Sequence, residues 1–216
     1  MGIEIISFDG LNRSGKGTQL NLTKKYLENR IQNVRVVRGD GSREGIGNPQ
    51  YFDPPSIWWK KWQNNKEKTT VDWDNAYSVL NKENEEELKK FSHFFDNGFF
   101  LMDRCYISRW FVERQRDKNT KIEDIIKNTQ IIPDKYFILD APKEELLSRQ
   151  NDDNPNKAQF RREIIEQWYD LWQDTINRAQ EKLKDKIIRI DATQNKYDIH
   201  QRVIRNIEYI DKQKLK

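Results

Sequence analysis

One cysteine, Cys105, stands in a chain of 216 residues. It has no partner for an internal disulfide, which suits a reducing compartment, and an apolar setting reads as a buried, inert thiol. Histidine is almost as scarce. His93 and His200 are the only two; neither stands near a second metal-type ligand, and no chemistry is assigned to them. No run reaches the roughly 18 apolar residues of a membrane span. The chain enters an apolar stretch at once, without a basic segment or a small-residue cleavage site, so no signal peptide is read and a cytoplasmic location is expected. Charge of one sign is also missing. The 39 basic residues are interspersed with 35 acidic ones, for a formal charge of +4. That balance reads as solvated helical surface rather than a nucleic-acid track, and Lys212 to Lys216 reads as a frayed tail.

What is present is an alternation. Ile3 to Phe8, Val34 to Val37, Phe99 to Met102, Tyr136 to Leu139 and Ile187 to Ile190 are short apolar, β-branched or aromatic runs of strand type. Helical spacing fills the intervals at 17–31, 74–95, 107–128, 143–150, 157–185 and 196–213. Strands alternating with helices imply a parallel sheet covered on both faces, in a single α/β domain over 1–216. Such sheets bind ligands at the carboxyl ends of their strands. Residues 39–75 are the irregular insert, with Gly39, Gly41, Gly45, Gly47 and three prolines. Within it, Tyr51 to Trp62 (YFDPPSIWWKKW) interleaves aromatics with lysines. Packing or a dimer face, base contact and nucleic-acid stacking are the three readings of that stretch. Trp168, Tyr169 and Trp172 lie at helical spacing and read as core.

Between the first strand and the first helix runs "FDGLNRSGKGTQ". Gly10, Gly15 and Lys16 fit the pattern G-x-x-x-x-G-K-[ST] in its required strand–helix context. Glycines let successive backbone N–H groups turn inward onto phosphate oxygens, and the helix adds its positive dipole end. An ordinary glycine turn capping a helix is the plainer reading. Gly17 stands where the pattern wants a hydroxyl, which comes one residue later at Thr18. At the end of the third strand, "FFLMDRCYIS" puts Asp103 and Arg104 at the same sheet edge. A carboxylate there can hold Mg²⁺, directly or through water, and Arg104 suits a pair of phosphate oxygens. A structural ion pair or cap is the alternative.

These pieces together resemble a thymidylate kinase, within the P-loop nucleoside monophosphate kinases. The resemblance rests on the order of "FDGLNRSGKGTQ", Arg38 after the second strand, "DRCYIS", "PDKYFILDAPKEELLSR" from Pro133, and "IDATQ" from Ile190. It covers most of the chain, with 40–80 matching poorly. It implies a three-layer P-loop NTPase fold, a parallel five-stranded sheet flanked by helices, and a short mobile lid at 150–158. It implies ATP-dependent transfer to a nucleoside monophosphate, dTMP foremost, with Mg²⁺, in nucleotide biosynthesis; a homodimer is a family expectation. Lys16 and the loop from Gly10 through Asn12, Arg13, Ser14, Gly15, Gly17 and Thr18 would hold the donor phosphates. Thr18 and Asp103 would place the metal. Arg38 and Arg104 would grip the acceptor phosphate, with Asp9 and Lys82 also on the acceptor side. Ala192 and Thr193 would flank the donor adenine, with Arg149 stacking on it. Lys16, Arg13 and Asp103 form the expected catalytic set. Arg13 would supply in the loop the cation that the lid lacks, a solvent-facing arginine being the alternative.

Departures from the family pattern keep other readings open. Asn12 replaces an acidic residue near the acceptor sugar, and Ser78 and Lys82 stand where the base pocket has phenylalanine and arginine. Tyr77 or Trp73 could stack in place of Ser78. A deoxynucleoside kinase would need a carboxylate base, for which Asp9 could serve. Polyphosphate-driven nucleotide kinases share the Gly-Lys-Gly loop. A non-catalytic nucleotide-binding module would bind ATP and turn nothing over.

Overall fold

In the computed structural model, residues 2–30, 32–38, 69–129, 131–149 and 155–214 are described, without the side chains of 38, 69–81, 155–161 and 209–214. The expected aromatic stretch Tyr51 to Trp62, the insert up to residue 68 and lid residues 150–154 lie outside them, as do the side chains of Trp73, Tyr77 and Ser78. Five strands are present: β1 (Ile3–Asp9), β2 (Val34–Arg38), β3 (Gly98–Asp103), β4 (Lys135–Asp140) and β5 (Ile187–Asp191). The helices are α1 (Lys16–Glu28), α2 (Thr69–Phe94), α3 (Tyr106–Arg116), α4 (Ile122–Ile126), α5 (Lys143–Ser148), α6 (Pro155–Leu183) and α7 (Lys196–Lys214), with a 3₁₀ turn at Lys184–Lys186.

All strand pairs are parallel, in the order β2-β3-β1-β4-β5. Strands 2 and 3 lie to one side of β1 and strands 4 and 5 to the other. The connections after β1 and its neighbours therefore diverge, which opens a crevice at the carboxyl edge. Period-two alternation sorts β1 and β3 between two clusters. Ile6, Phe8, Phe99 and Leu101 enter the larger one with Ile107, Trp110 and Trp172. Phe100 and Met102 join Val37 and Phe91 in the smaller. Trp172 is buried in the larger cluster, and Trp168 and Tyr169 pack partly buried against that cluster, as their spacing suggests.

Several expected helix bounds differ. α2 begins at Thr69, five residues before the expected 74 and inside the expected insert 39–75. The pattern over 107–128 is split into α3 and α4. Asp117 explains the break: its Oδ1 accepts from Asn119 N at 2.9 Å, while its carbonyl accepts from Thr120 Oγ1 at 2.8 Å. These local bonds offer the backbone a turn in place of helix. The long helix α6 begins at Pro155, so 155–158, expected as lid, form its first turn. Proline is preorganised for that position and has no N–H to leave unpaired.

Candidate active site

The site is assembled by register. Phe8 lies opposite Asp103 in the β1–β3 pair, and Arg38 lies opposite Asp103 in the β2–β3 pair. The backbones of Arg38, Asp103 and the loop after Asp9 thus reach one edge of the sheet. Arg104 N donates to Phe8 O at 2.9 Å, tying the Asp-Arg corner to the end of β1.

The loop requires its first glycine. Gly10 has φ +153°, and a Cβ there would meet Ser14 Oγ at 2.4 Å and Leu139 O at 2.6 Å. Arg13 (φ 68°) and Gly15 (φ 89°) are both left-handed. Ser14 N donates to Leu11 O at 3.2 Å, and Gln19 N to Gly15 O at 3.0 Å. No side chain caps α1 at Gly15, and no acidic residue stands in its first turn. An uncapped helix start after a left-handed glycine turn is an anion-binding arrangement. Lys16 Nζ donates to Leu11 O at 3.3 Å, so the ammonium bends back over the loop. Gly17 and Thr18 are exposed, and a Cβ at Gly17 would touch nothing within 4 Å. The departure at Gly17 therefore answers no steric need.

Two arginines of positive φ stand at this sheet edge. Arg13 and Arg104 are, with Lys184, the non-glycine residues of positive φ among those described. Such conformations persist where the surroundings impose them. Arg104 donates through Nη2 to Asn12 Oδ1 at 3.2 Å, so the third strand's corner is hydrogen-bonded to the loop itself. Arg13 Nη1 reaches Leu147 O at 3.5 Å. Arg149 donates to Glu145 at 3.0 Å, to Arg13 O at 3.0 Å and to Ala192 O. Expected as a stacking partner for adenine, Arg149 is edge-bonded into a clip joining α5, the loop and the β5–α7 turn. That turn is made by Asp191, whose Oδ1 accepts from Thr193 N at 2.9 Å and Thr193 Oγ1 at 2.7 Å. Those bonds hold the Asp191 carboxyl below its usual range. Ala192 is buried beside it, with its N–H on Asp140 O at 2.7 Å. Asp140 is itself paired with Arg189 and accepts from Gln173 at 2.7 Å.

Asp9, expected on the acceptor side, is bonded to the start of α3. Its residue is 0% exposed. Oδ1 accepts from Ser108 Oγ at 2.6 Å and from Cys105 N at 3.3 Å. Burial pushes its pKa up, against the lowering effect of these bonds and of Arg104. The carboxyl is enclosed where the start of α3 meets the end of β1. Lys82 stands exposed on α2, outside this hydrogen-bonded set. Ser108 is the residue that sequence reasoning missed. Its signal was its spacing, four residues after Arg104 on a helix that begins at Tyr106. Tyr106, the first residue of α3, and Tyr136 share a buried hydroxyl–hydroxyl bond of 2.8 Å. The Cys105 thiol is buried and pushed well up, chiefly by desolvation, which suits an inert thiol capping α3. His200 is half-buried and its pKa is lowered by that burial.

Asp103 and Thr18 offer only oxygen ligands, the donor type that Mg²⁺ takes. Among the described residues no cluster of three or more His, Cys, Asp or Glu could hold a metal alone. A small hydrated cation shared with substrate phosphates fits this sparse donor set. No helix among the described residues is long and apolar enough to cross a membrane.

The strand order, the glycine loop between β1 and α1 and the flanking helices define a P-loop kinase fold. Thymidylate kinase from Ehrlichia chaffeensis has a similar structure, with a TM-score of 0.59 and 17% identity over 96% of this chain and 99% of that one. No family model matches the chain. No curated protein matches it in sequence.

Proposed function

We propose that this chain is an ATP-dependent nucleoside monophosphate kinase, with dTMP as the favoured acceptor. The carrying observation is the joined corner: Arg104 is bonded to Phe8 O at 2.9 Å and to Asn12 Oδ1 at 3.2 Å, across from an uncapped, left-handed phosphate loop. An anion cradle and a fork-shaped cation at one sheet edge suit two phosphate groups brought together. The choice of dTMP is supported by the motif order described above and by the neighbour's name.

In this reading the loop amides and Lys16 bind the β- and γ-phosphates of ATP. Arg104 and Arg38 orient the acceptor monophosphate in line with the γ-phosphorus. An acceptor phosphate oxygen, already ionised, forms the new P–O bond. The bond from the γ-phosphorus to the bridging oxygen breaks, and ADP leaves with the electron pair. No general base is required, so catalysis is positioning and charge stabilisation. Arg13 and Lys16 spread the charge on the moving group. Asp103 and Thr18 would hold Mg²⁺, which neutralises phosphate charge when bound. Asp9, the base that a hydroxyl acceptor would need, has no exposed surface.

The test is ADP formation from ATP and Mg²⁺ with a panel of nucleoside monophosphates and nucleosides, and with polyphosphate replacing ATP in one arm. Turnover with dTMP above other acceptors is expected. Turnover with nucleosides alone, or ATP binding without turnover, contradicts the proposal.

A further inference from the structure

We infer that Asp9 and Ser108 are positioning residues for Arg104, forming a buried carboxylate–hydroxyl relay that fixes the guanidinium expected to hold the acceptor phosphate. The inference rests on the phosphotransfer reading above. Both residues are buried, at 0% and 3% exposure. Ser108 Oγ lies 2.6 Å from Asp9 Oδ1 and 3.3 Å from Arg104 Nη1. A hydroxyl has one proton to donate. Once that proton is given to the carboxylate, Oγ turns only lone pairs toward the guanidinium. The carboxylate thereby makes the hydroxyl an acceptor for Arg104.

The same carboxylate holds the backbone. Arg104 N bonds Phe8 O at 2.9 Å, and Cys105 N bonds Asp9 Oδ1 at 3.3 Å. Consecutive N–H groups of the corner are thus pinned to consecutive residues of β1, with Arg104 between them at φ 69°. At its other edge the guanidinium meets Asn12 Oδ1 at 3.2 Å, so α3 and the loop fix it from two directions. Asp9 Oδ2 is enclosed and has no hydrogen-bond partner among the described residues. A fold gains little from such a group, since burying a carboxyl with one oxygen unpaired is costly and an apolar side chain would pack there more easily. Its use is the orientation of Arg104.

The experiment compares wild type, Ser108→Ala, Asp9→Asn and Arg104→Lys, with the double variant Ser108→Ala/Arg104→Lys. Steady-state KM for dTMP and for ATP, thermal midpoints, and calorimetric dTMP binding, which needs no turnover, are measured. Ser108→Ala is expected to raise the dTMP KM and Kd roughly tenfold, the scale of a lost charge-assisted hydrogen bond. The ATP KM stays near wild type, and the thermal midpoint falls by a few degrees, because the buried Asp9 carboxylate loses a donor. In the Arg104→Lys background the same substitution adds little, because the two act as one unit. Asp9→Asn shifts the same constants in the same direction; if it does not fold, Ser108→Ala decides. The inference is overturned if Ser108→Ala leaves dTMP binding unchanged, raises both KM values together, or adds its full effect to Arg104→Lys. If wild type binds dTMP and the variants lose that binding while no transfer occurs, the relay stands and the kinase reading falls. If wild type binds no dTMP at all, the inference falls.

Discussion

Single residues carry the loop, and its glycines are not equivalent. Gly10 is wedged between Ser14 and the Leu139 carbonyl at a φ that side chains avoid, whereas a Cβ at Gly17 meets nothing. Gly10→Ala is expected to cost roughly 2 kcal/mol or more and to abolish ATP binding. Gly17→Ala is expected to leave stability unchanged or raise it by up to about 1 kcal/mol, since glycine is a poor helix former. Thermal melts and ATP titrations of both variants check this contrast; equal losses at the two positions would contradict it. At this scale the sequence was legible for residues whose role is set by the main chain. Gly10, Gly15 and Lys16 follow from a spacing, and the structure returns the turn and the uncapped helix start. It was not legible for Asp9. A carboxylate at a strand end reads the same whether it faces ligand or lies beneath a neighbouring helix, and only the position of α3 decides. Ser108 stayed hidden for the same reason, because its partners are 99 residues away at Asp9 and four away at Arg104.

Secondary-structure elements came through their periodicity. All five strands fall where the apolar runs stand, each extended by one or two residues. Their order in the sheet, β2-β3-β1-β4-β5, depends on how the crossover helices pack and is not written in any single segment. The breaks were harder to read. Asp117 ends α3 by side-chain bonds that leave no mark in hydrophobic spacing, and Pro155 starts α6 inside the stretch expected as lid. Arg149 links three elements at once, through Glu145, Arg13 O and Ala192 O. Lysine can replace its charge but not its fork. Arg149→Lys is therefore expected to weaken ATP binding severalfold and to leave dTMP binding near wild type, as read by calorimetry with each ligand. An equal loss for both ligands would show that the clip does not act on the donor side alone.

For the whole molecule, acid stability follows from carboxylates with shifted pKa values. The Arg114 guanidinium, buried against Trp110 and also bonded to Thr175 at 2.8 Å, holds Asp174 below the usual carboxylate range, with Arg178 adding to it. A depressed pKa gives stability that is present above the unfolded value near 3.8 and is lost as pH falls through the folded one. Asp9 acts in the opposite sense: its raised pKa makes the charged form a cost, relieved as pH falls through that folded value. Asp174→Asn is expected to lower stability at neutral pH by no more than about 1 kcal/mol, because the carboxylate is half-exposed. The loss relative to wild type shrinks below about pH 4, where the wild-type carboxylate is protonated in the unfolded chain. Denaturant melts at pH 7 and pH 3 measure the difference, and a gap that widens in acid would reverse the assigned sign.

The central claim is that the glycine loop and the Asp103–Arg104 corner serve one phosphoryl transfer. Its most direct measurement follows the labelled γ-phosphate of ATP in the presence of Mg²⁺ and dTMP, for wild type and Lys16→Ala. The account predicts label in dTDP with wild type, and none with a Lys16→Ala variant of unchanged thermal midpoint. Label released only as inorganic phosphate, or transfer by Lys16→Ala at the wild-type rate, would contradict it.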